Sequence, residues 1–346
     1  MGFNKRLFTG GDAGGIVAAE NFAPVLYTGS GGTQNITNVG FAPDLVIIKK
    51  RGSSTNSQNN TQDTVRGIGS SGGAKIIYTD SSETEIVVAD TTNFASFNSD
   101  GFTVGGNTFY NGSTETYVSW NFKGGGAASS NTDGTITSQV SKNVAAGFSI
   151  ATYTGNGTQN ATIGHGLESA PDMVIIKSRT GNDAWFVSHS SLSSNQFVEL
   201  NTTGAATTNS ALNHERLSTT FKTTGSSPHD MINKSGADYV MYSFKNITGY
   251  QKFGTYEGNQ TTGVDNQIDF GFAPRFVLIK NADSAGSQWM VFDSVRTNGM
   301  ALYLNSVSAE VDYTGDLTLS SQGLRFGSTN INVNRSGDSY LYWAIA

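Results

Sequence analysis

The stretch "GFAPDLVIIKK", Gly40–Lys50, decides the fold because the chain repeats it twice. It returns as "SAPDMVIIK" at Ser169–Lys177 and as "GFAPRFVLIK" at Gly271–Lys280. In each copy a proline is followed by a lysine at the same distance, and these copies hold three of the five prolines in the chain. A continuous apolar run predicts a strand that is covered on both faces, and proline suits its first position because the missing N–H costs little there. One strand repeated three times predicts three similar modules.

Both ends of each module repeat as well. An aromatic turn opens each copy: "LYTGSGGTQNIT" at Leu26–Thr37, "TYTGNGTQNAT" at Thr152–Thr162 and "TYEGNQTTG" at Thr255–Gly263. A closing strand follows an asparagine in "NGSTETYVSWNFK", "NKSGADYVMYSFK" and "NRSGDSYLYWAIA". The asparagine and the first tyrosine keep one spacing in all three: Asn111 and Tyr117, Asn233 and Tyr239, Asn334 and Tyr340. Chance does not place both ends in register three times.

The composition points away from helices. Glycine accounts for 42 of 346 residues and charged residues for only 14%. Short bursts of Thr, Val, Ile, Tyr and Phe alternate with Gly, Asn, Ser and Asp clusters, which is typical of many short strands joined by turns. A module built of such strands must bury one sheet face against a second sheet. We therefore predict an all-β chain of three tandem antiparallel β-sandwich modules, jelly-roll-like, preceded by an extended N-terminal arm.

Composition also sets the module boundaries. We predict an N-terminal anchoring arm over residues 1–22, module one over 23–123, module two over 147–246 and module three over 252–346. Residues 124–146 form a Gly/Ser-rich linker that holds one short candidate strand, "TITSQV". Because the second junction is much shorter, we expect modules two and three to be held closely and module one to be tethered more loosely.

Several function classes are disfavoured. The net charge is −6 and no lysine or arginine run occurs, which argues against a nucleic-acid partner. No apolar segment approaches the roughly 18–20 residues that span a bilayer, so we expect no membrane insertion. The absence of cysteine excludes disulfides, cysteine-ligated zinc and thiol catalysis.

The histidines do not suggest a metal site. His165, His189, His214 and His229 lack ligand spacing and an accompanying carboxylate cluster, and "GHGL" around His165 favours a turn. Ser188–His189 suggests a hydrolase, but no nucleophile elbow surrounds the serine and neighbouring strand residues point to opposite faces. We predict no catalytic residues, no metal and no cofactor.

Asp63 with Arg66 and Asp293 with Arg296 recur at equivalent places. A structural ion pair is favoured over a ligand-binding role for both, and module two has His189 at this position. The tyrosines and tryptophans are interpreted chiefly as core residues, with sugar recognition as the alternative.

Longer stretches carry a family resemblance. The run "GTITSQVSKNVAAGFSIATYTGNGTQNATIGHGLESAPDMVIIKSR" followed by "WFVSHSSL", the ending "YLYWAIA", and "FDSVR" with its echo "DTVRG" resemble a module of tail-fibre and other virion proteins of marine tailed bacteriophages. The resemblance covers roughly residues 22–346. It implies a virion structural protein with no catalytic residues to carry over, and because such proteins are often homotrimeric we expect this chain to form a homotrimer. His189 departs from the acidic residue found in the other two modules, which puts a shared acidic function in doubt.

This resemblance leads to two functional hypotheses. The first is a tail fibre or spike in the virion, with its N-terminal arm on tail or capsid proteins and distal loops on host surface polysaccharide. The second is a capsid decoration or head-fibre protein that stabilises the particle or adheres weakly. A polysaccharide depolymerase is less favoured because it requires a carboxylate pair. Loops such as Ser53–Gln62 and Thr223–Met231 differ between modules, and we expect receptor contact in the module-three loop, at Glu310, Asp312, Tyr313 and Asp316.

Overall fold

The protein is nearly all β and consists of repeated antiparallel sandwich-like modules, which confirms the predicted fold class. The structure, a computed structural model, describes residues 15–52, 58–68, 73–223, 230–261, 267–327 and 330–346. Most of the predicted arm, and parts of the loops predicted at 53–62 and 223–231, lie outside the described residues.

Module one begins after a 3₁₀ turn at Ala18–Glu20. Its elements in chain order are β1 (Phe22–Thr28), β2 (Gln34–Ile36), β3 (Leu45–Lys50), β4 (Asn60–Asp63), β5 (Lys75–Tyr78), β6 (Ile86–Val87), β7 (Phe94–Asn98), β8 (Gly101–Val104), α1 (Thr108–Asn111) and β9 (Thr116–Phe122).

The segment predicted as a linker contains two strands, β10 (Ser129–Asn131) and β11 (Ser138–Asn143). Both add to the sheet of module two, because β11 pairs along the whole of that module's first strand. The elements of module two are β12 (Phe148–Thr154), β13 (Thr162–Gly164), β14 (Met173–Ser178), β15 (Phe186–His189), β16 (Gln196–Glu199), β17 (Thr207–Thr208), β18 (Glu215–Arg216), β19 (Thr220–Lys222), α2 (Asp230–Asn233) and β20 (Asp238–Phe244).

Module three repeats the same order. Its elements are β21 (Gln251–Glu257), β22 (Gln267–Asp269), β23 (Phe276–Asn281), β24 (Met290–Asp293), β25 (Met300–Tyr303), β26 (Val311–Asp312), β27 (Leu317–Leu319), β28 (Gly323–Phe326), α3 (Ile331–Asn334) and β29 (Ser339–Ile345).

Each module has a main sheet and a small sheet. The main sheets run β1-β9-β3-β4-β5-β6, β12-β20-β14-β15-β16-β17 and β21-β29-β23-β24-β25-β26, and β10 and β11 extend the second of these beyond β12. The small sheets are β2-β8-β7, β13-β19-β18 and β22-β28-β27. In module one, β2, β7 and β8 pack with the outer face of the main sheet, which forms that module's own core.

The first four residues of the repeated strand are all apolar because both faces of the strand are covered. In β3, Val46 and Ile48 point into the module's own sandwich, while Leu45 and Ile47 point to the opposite face. The equivalent strands β14 and β23 are buried at every position. The continuous apolar run therefore reflects two hydrophobic cores. One face of the strand packs inside its own sandwich, and the other packs against the neighbouring modules.

The repeated asparagine and tyrosine close each module in the same way. The Asn111 side chain accepts from the Ser30 amide, and the Tyr117 hydroxyl accepts from the Gly112 amide and donates to the Thr108 carbonyl. Tyr117 also stacks on the opening tyrosine, Tyr27, at 5.0 Å. The same stacking joins Tyr153 to Tyr239 at 5.0 Å and Tyr256 to Tyr340 at 4.9 Å.

The inner faces of the three main sheets meet in one central core. It contains Phe22, Leu45, Trp120 and Phe122 from module one, Ile150, Ile175, Trp185, Tyr242 and Phe244 from module two, and Phe276, Leu278, Trp289, Trp343 and Ile345 from module three. Each fully buried large side chain contributes roughly 1.5–3 kcal/mol. The prediction that module one is loosely tethered is therefore wrong, since its aromatic side chains are shared with both neighbours.

Candidate functional site

The contacts between modules form a closed cycle, and buried polar and charged side chains lie along them. One set of hydrogen bonds shows the cycle directly. Asn59 of module one donates to the Tyr303 carbonyl of module three at 3.1 Å. The equivalent donors are Trp289 of module three, which reaches the Glu199 carbonyl of module two at 2.9 Å, and Trp185 of module two, which reaches the Tyr78 carbonyl of module one at 2.9 Å. Each module thus donates to the next, as subunits do in a ring with threefold symmetry.

The three repeated lysines, Lys49, Lys177 and Lys280, are completely buried at or beside these contacts. Lys49 donates to the Ser306 carbonyl of module three at 2.7 Å, and Lys177 donates to the Ser82 carbonyl of module one at 3.1 Å. Burial lowers the pKa of each lysine to about 8, and nearby carboxylates oppose this only for Lys49 and Lys177. Lys49 and Lys177 thus bind carbonyl groups of a neighbouring module, whereas Lys280 donates to the Ser287 carbonyl of its own module at 2.7 Å.

We call the three contacts seams A, B and C. Seam A joins modules one and two, seam B joins modules three and one, and seam C joins modules two and three. Aligned by backbone hydrogen bonds and strand position, the equivalent residues are Asp63, Arg66, Glu85 and Arg179 in seam A, Asp293, Arg296, Glu310 and Arg51 in seam B, and His189, Leu192, Ala206 and Ala282 in seam C.

Seam A is closed by a buried network of charges. Arg66 donates to Asp63 at 2.5 Å and to Glu85 at 3.1 Å, and both Arg66 and Asp63 have completely buried side chains. Arg179 of module two binds Glu85 with two hydrogen bonds, of 3.1 and 2.8 Å. Tyr242 of module two donates to Asp63 at 2.7 Å. Burial raises the pKa of Glu85, but the hydrogen bonds from Arg179 and the charge of Arg66 hold that pKa below its ordinary value.

Seam B repeats the network one module further on. Arg296 donates to Asp293 at 2.8 Å and to Glu310 at 3.3 Å. Arg51 of module one binds Glu310 with two hydrogen bonds, of 2.9 and 3.0 Å. Trp120 of module one occupies the position equivalent to Tyr242, and its indole N–H donates to Asp293 at 3.0 Å.

Seam C contains none of these charges. His189 occupies the aspartate position, and its ring lies 3.3 Å from the Tyr342 carbonyl of module three. Burial lowers the pKa of His189 to about 4, so this side chain is neutral at physiological pH. Leu192 and Ala206 pack against the central core, and Ala282 is buried in it. The Ala206 amide still donates to the Ala282 carbonyl at 2.7 Å, as the Glu85 amide does to Arg179 and the Glu310 amide to Arg51.

The charges give each module a distinct pair of surfaces. Module one presents an acidic half at seam A, Asp63 and Glu85, and an arginine at seam B, Arg51. Module two supplies only an arginine, and module three only the acidic half. An arginine half placed against a neutral half would leave a largely enclosed charge, Arg179 or Arg51, without its carboxylate, which is unfavourable. The arrangement therefore specifies the cyclic order of the modules, that is, which surface of each module meets which neighbour.

The predicted receptor-facing residues fall in very different places. Glu310 belongs to seam B, with its side chain 13% exposed. Tyr313 is buried in the core of module three and its hydroxyl lies 3.2 Å from that of Tyr303. Asp316 is half-buried and accepts from Asn330 at 2.5 Å. Asp312 is the exposed member of the four, and it accepts from the Thr314 amide at 2.8 Å. The four residues therefore do not form one outward surface, because two of them belong to packed interiors.

The serine considered as a possible hydrolase residue, Ser188, has a different histidine partner from the one considered in the sequence. Ser188 pairs with His214 at 2.7 Å instead of with His189, and Arg216 donates to the same serine. Ser188 and His214 are 0% and 1% exposed, and burial lowers the pKa of His214 to about 3. A nucleophile enclosed to this degree cannot meet a substrate. His229 lies outside the described residues.

The residues described here contain no group of three or more His, Asp or Glu side chains that could hold a metal ion, and no helix among them is long and apolar enough to cross a bilayer. A small apolar cavity of about 30 Å³ lies on the central core, lined by residues of all three modules such as Ile47, Ile175 and Leu278. Ligand pockets are about 300–1,000 Å³, so this space is a packing gap.

Sequence reasoning identified the repeated lysines and both Asp–Arg pairs but not that they meet across modules. One signal was available: an arginine follows the lysine by two positions at Arg51 and Arg179, while Ala282 stands at that place in module three.

The family follows from a match over nearly the whole chain. A family model described as Domain of unknown function (DUF7483) matches residues 18–346. The chain belongs to this family. The match runs from the 3₁₀ turn through β29, so the DUF7483 unit is the complete three-module ring and not a single sandwich. No curated protein and no solved structure matches the chain.

Proposed function

We propose that the protein is a structural component of a bacteriophage virion, most specifically the compact head of a tail fibre or spike that contributes to host-surface attachment. The observation that carries this proposal is the closed ring of three sandwiches around one core. Buried charged side chains join its modules, namely the ion-pair networks of seams A and B and the lysines Lys49 and Lys177. A rigid block of this kind suits an assembly, and the resemblance of its repeated stretches to virion modules points to the same class.

The ring weakens the physical argument for a homotrimer. Three sandwich modules meeting around an axis were expected from three chains, but here the modules of one chain occupy these places. Self-association of the chain would therefore use outer surfaces, and we propose that one chain supplies the threefold-like unit by itself.

We propose that the protein attaches to the particle through its N-terminus, by a segment shorter than the predicted residues 1–22. Phe22 is completely buried in the central core, and Ile16 and Ala18 pack against that core. Residues 15–22 are thus part of the ring, and the segment proposed to bind tail or capsid proteins is residues 1–14. Removing it should leave the ring folded.

A second candidate, a capsid decoration protein, is favoured by the side-by-side arrangement of the modules. A fibre shaft would string its sandwiches in series, whereas this ring is compact. The modules of a ring could cover a threefold position on a shell. Host surface polysaccharide as a ligand belongs only to the first candidate.

The test is to locate the protein on purified particles by cryo-electron microscopy with gold-labelled antibody. Label at the tail tip supports the fibre head, and label spread over the head supports decoration. Absence of the protein from particles would overturn both. Particles made with a chain that lacks residues 1–14 provide the control, since a normally folded ring that no longer incorporates would assign anchoring to this segment.

A further inference from the structure

Within the described residues, the equivalent edge of the main sheet is covered by a further strand in one module and uncovered in the other two. In module two, β11 pairs with the edge strand β12 along six residues, from Ser138 to Asn143. In module one the edge strand is β1, and in module three it is β21, and neither has a further strand beside it in the described part of the chain. An edge that lacks a partner presents free backbone donors and acceptors, which natural proteins usually block or cover.

The direction of the free groups follows from the backbone hydrogen bonds. The Tyr250 carbonyl and the Gly258 amide are bonded toward β29, so the even-numbered residues of β21 face their partner. The backbone groups of Phe253, Thr255 and Glu257 therefore point away from the sheet. Among the described residues no hydrogen bond is made to these outward groups, and Thr255 and Glu257 are exposed.

Module one blocks the equivalent edge by itself. Counted the same way, the outward positions of β1 are Phe22, Pro24, Leu26 and Thr28. Pro24 has no N–H to offer and stands in the middle of that row, which is a known way to close an edge. Module three has Phe253 at the place of Pro24, so its edge carries no such block.

The cover in module two also buries side chains that remain partly open in module three. Val140 of β11 and Ile136, which bridges to Ile163 of the small sheet, both belong to the core of module two. In the same core, Tyr153 is 4% exposed and Ile163 is 0% exposed; Ile163 bridges to Ile136, and Tyr153 lies diagonally from Val140 across the β11–β12 pair. Their counterparts in module three, Tyr256 and Ile268, are only partly buried.

We propose that the β21 edge of module three is a docking site for an extended segment of a partner protein, which adds to the sheet as a further antiparallel strand. The segment that fits has two aliphatic side chains spaced as Ile136 and Val140 are, one against Ile268 and one opposite Gly254, diagonal to Tyr256. The backbone of Phe253, Thr255 and Glu257 supplies affinity, and the two aliphatic positions supply selectivity. The inference does not depend on the proposed function, because it follows from comparing three edges of one molecule.

The chain itself provides the probe. A synthetic peptide of residues 134–145, "GTITSQVSKNVA", reproduces the segment that covers module two. Binding to the full-length protein is measured by fluorescence anisotropy, and the site is located by hydrogen exchange. We expect saturable binding with new protection at the amides of residues 253, 255 and 257.

Two substitutions make the test specific. Thr255→Pro removes an outward N–H of β21, and the loss of one backbone hydrogen bond should weaken binding about tenfold. Leu26→Pro is the matched control at the same position of the β1 edge and should leave binding unchanged. A peptide with aspartate at the positions of Ile136 and Val140 should not bind.

Three outcomes would overturn the proposal. The first is absence of protection at residues 253–257 with saturating peptide, and the second is equal weakening by Thr255→Pro and Leu26→Pro. The third is a concentration-dependent dimer of the unliganded protein that Thr255→Pro abolishes, since that would make a second copy the occupant of the edge.

Discussion

Seams A and C join equivalent surfaces of similar modules, yet seam A is closed by buried charges and seam C by small and apolar side chains. In seam A, Arg66 and Asp63 are fully enclosed and Arg179 reaches across to Glu85. In seam C, Leu192, Ala206 and Ala282 fill the same positions. Both seams keep the backbone hydrogen bond between modules. The charges are therefore not required to hold two modules together.

What the charges add is selectivity between similar surfaces. Buried ion pairs often contribute little net stability relative to well-packed apolar residues, but breaking one is costly. In a ring of three each module touches both others, so the complementary halves at seams A and B can only select between the two cyclic orders. In the reverse order both charged surfaces of module one would face neutral surfaces of its neighbours. Once two seams are specified, the third closes without charges of its own. Seam C shows that apolar packing can join two modules. Seams A and B show how ion pairs can select the cyclic order of similar modules.

The largest expected effect comes from breaking seam A on one side. Arg66→Leu removes a completely buried guanidinium and leaves Asp63 without its counter-ion. We expect the free energy of unfolding to fall by about 3–5 kcal/mol, the usual cost of an unpaired buried charge. Urea unfolding followed by tryptophan fluorescence measures this. The control is Arg335→Leu, whose pair with Asp338 has an arginine 53% exposed and should matter by less than about 1 kcal/mol. Similar losses in the two variants would contradict the role given to the network.

A second effect tests what all three modules share, a buried lysine at the end of the repeated strand. Because burial lowers their pKa to about 8, the folded protein releases protons at a pH where the unfolded chain, with an ordinary lysine pKa, still holds them. Stability then rises as the pH rises, by about 1 kcal/mol for each lysine between pH 8 and 9. The gain ends at about pH 9.5, where ionisation of the many tyrosines in the unfolded chain offsets the lysine effect, since burial raises the pKa of residues such as Tyr153 and Tyr256.

The measurement is urea unfolding at a series of pH values from 7.5 to 9.5, with two variants. Lys280→Met should remove about a third of the rise, because one of three equivalent groups no longer titrates. Lys142→Met alters a lysine that is half exposed in an ion pair with Glu168 and should leave the rise intact. Stability that is flat or falling over this range would show that the lysines titrate normally in the folded state.

The sequence predicted the parts of this molecule better than their arrangement. The repeated strand, its proline and the asparagine–tyrosine spacing predicted three sandwich modules, because these features report contacts within one module. The central core was not predictable in the same way, since a residue such as Trp120 looks identical whether it faces its own sandwich or a neighbouring one. Composition misled at residues 124–146, where a Gly/Ser-rich segment forms β10 and β11, because pairing with an existing sheet edge stabilises strands that have weak propensity of their own.

The candidate site shows the same limit. Glu310 and Tyr313 are predicted to lie in a receptor-facing loop because their segment differs between the modules. Glu310 lies there because Arg51, far away in the sequence, requires an acid in a neighbouring module. Tyr313 lies there because its ring packs against Phe292. Long-range pairing of this kind leaves no local pattern, although the matching arginines after two of the three lysines were visible.

The smallest expected effect is also the most direct test of the comparison, the conversion of seam A into a copy of seam C. The variant combines Asp63→His, Arg66→Leu, Glu85→Ala and Arg179→Ala with Tyr242→Phe, which removes the hydroxyl that donates to Asp63. No buried charge is left unpaired, so we expect stability within about 1.5 kcal/mol of the original protein, far above that of Arg66→Leu alone. Hydrogen exchange at the Glu85 amide, which donates to the Arg179 carbonyl, reports whether the seam still closes. If the combined variant is as unstable as the sum of its single changes, the charges hold the seam together and seam C is stabilised by something its seam residues do not show. If it is stable and the ring remains closed, order is the remaining reason for the network, because the apolar seam performs the joining equally well.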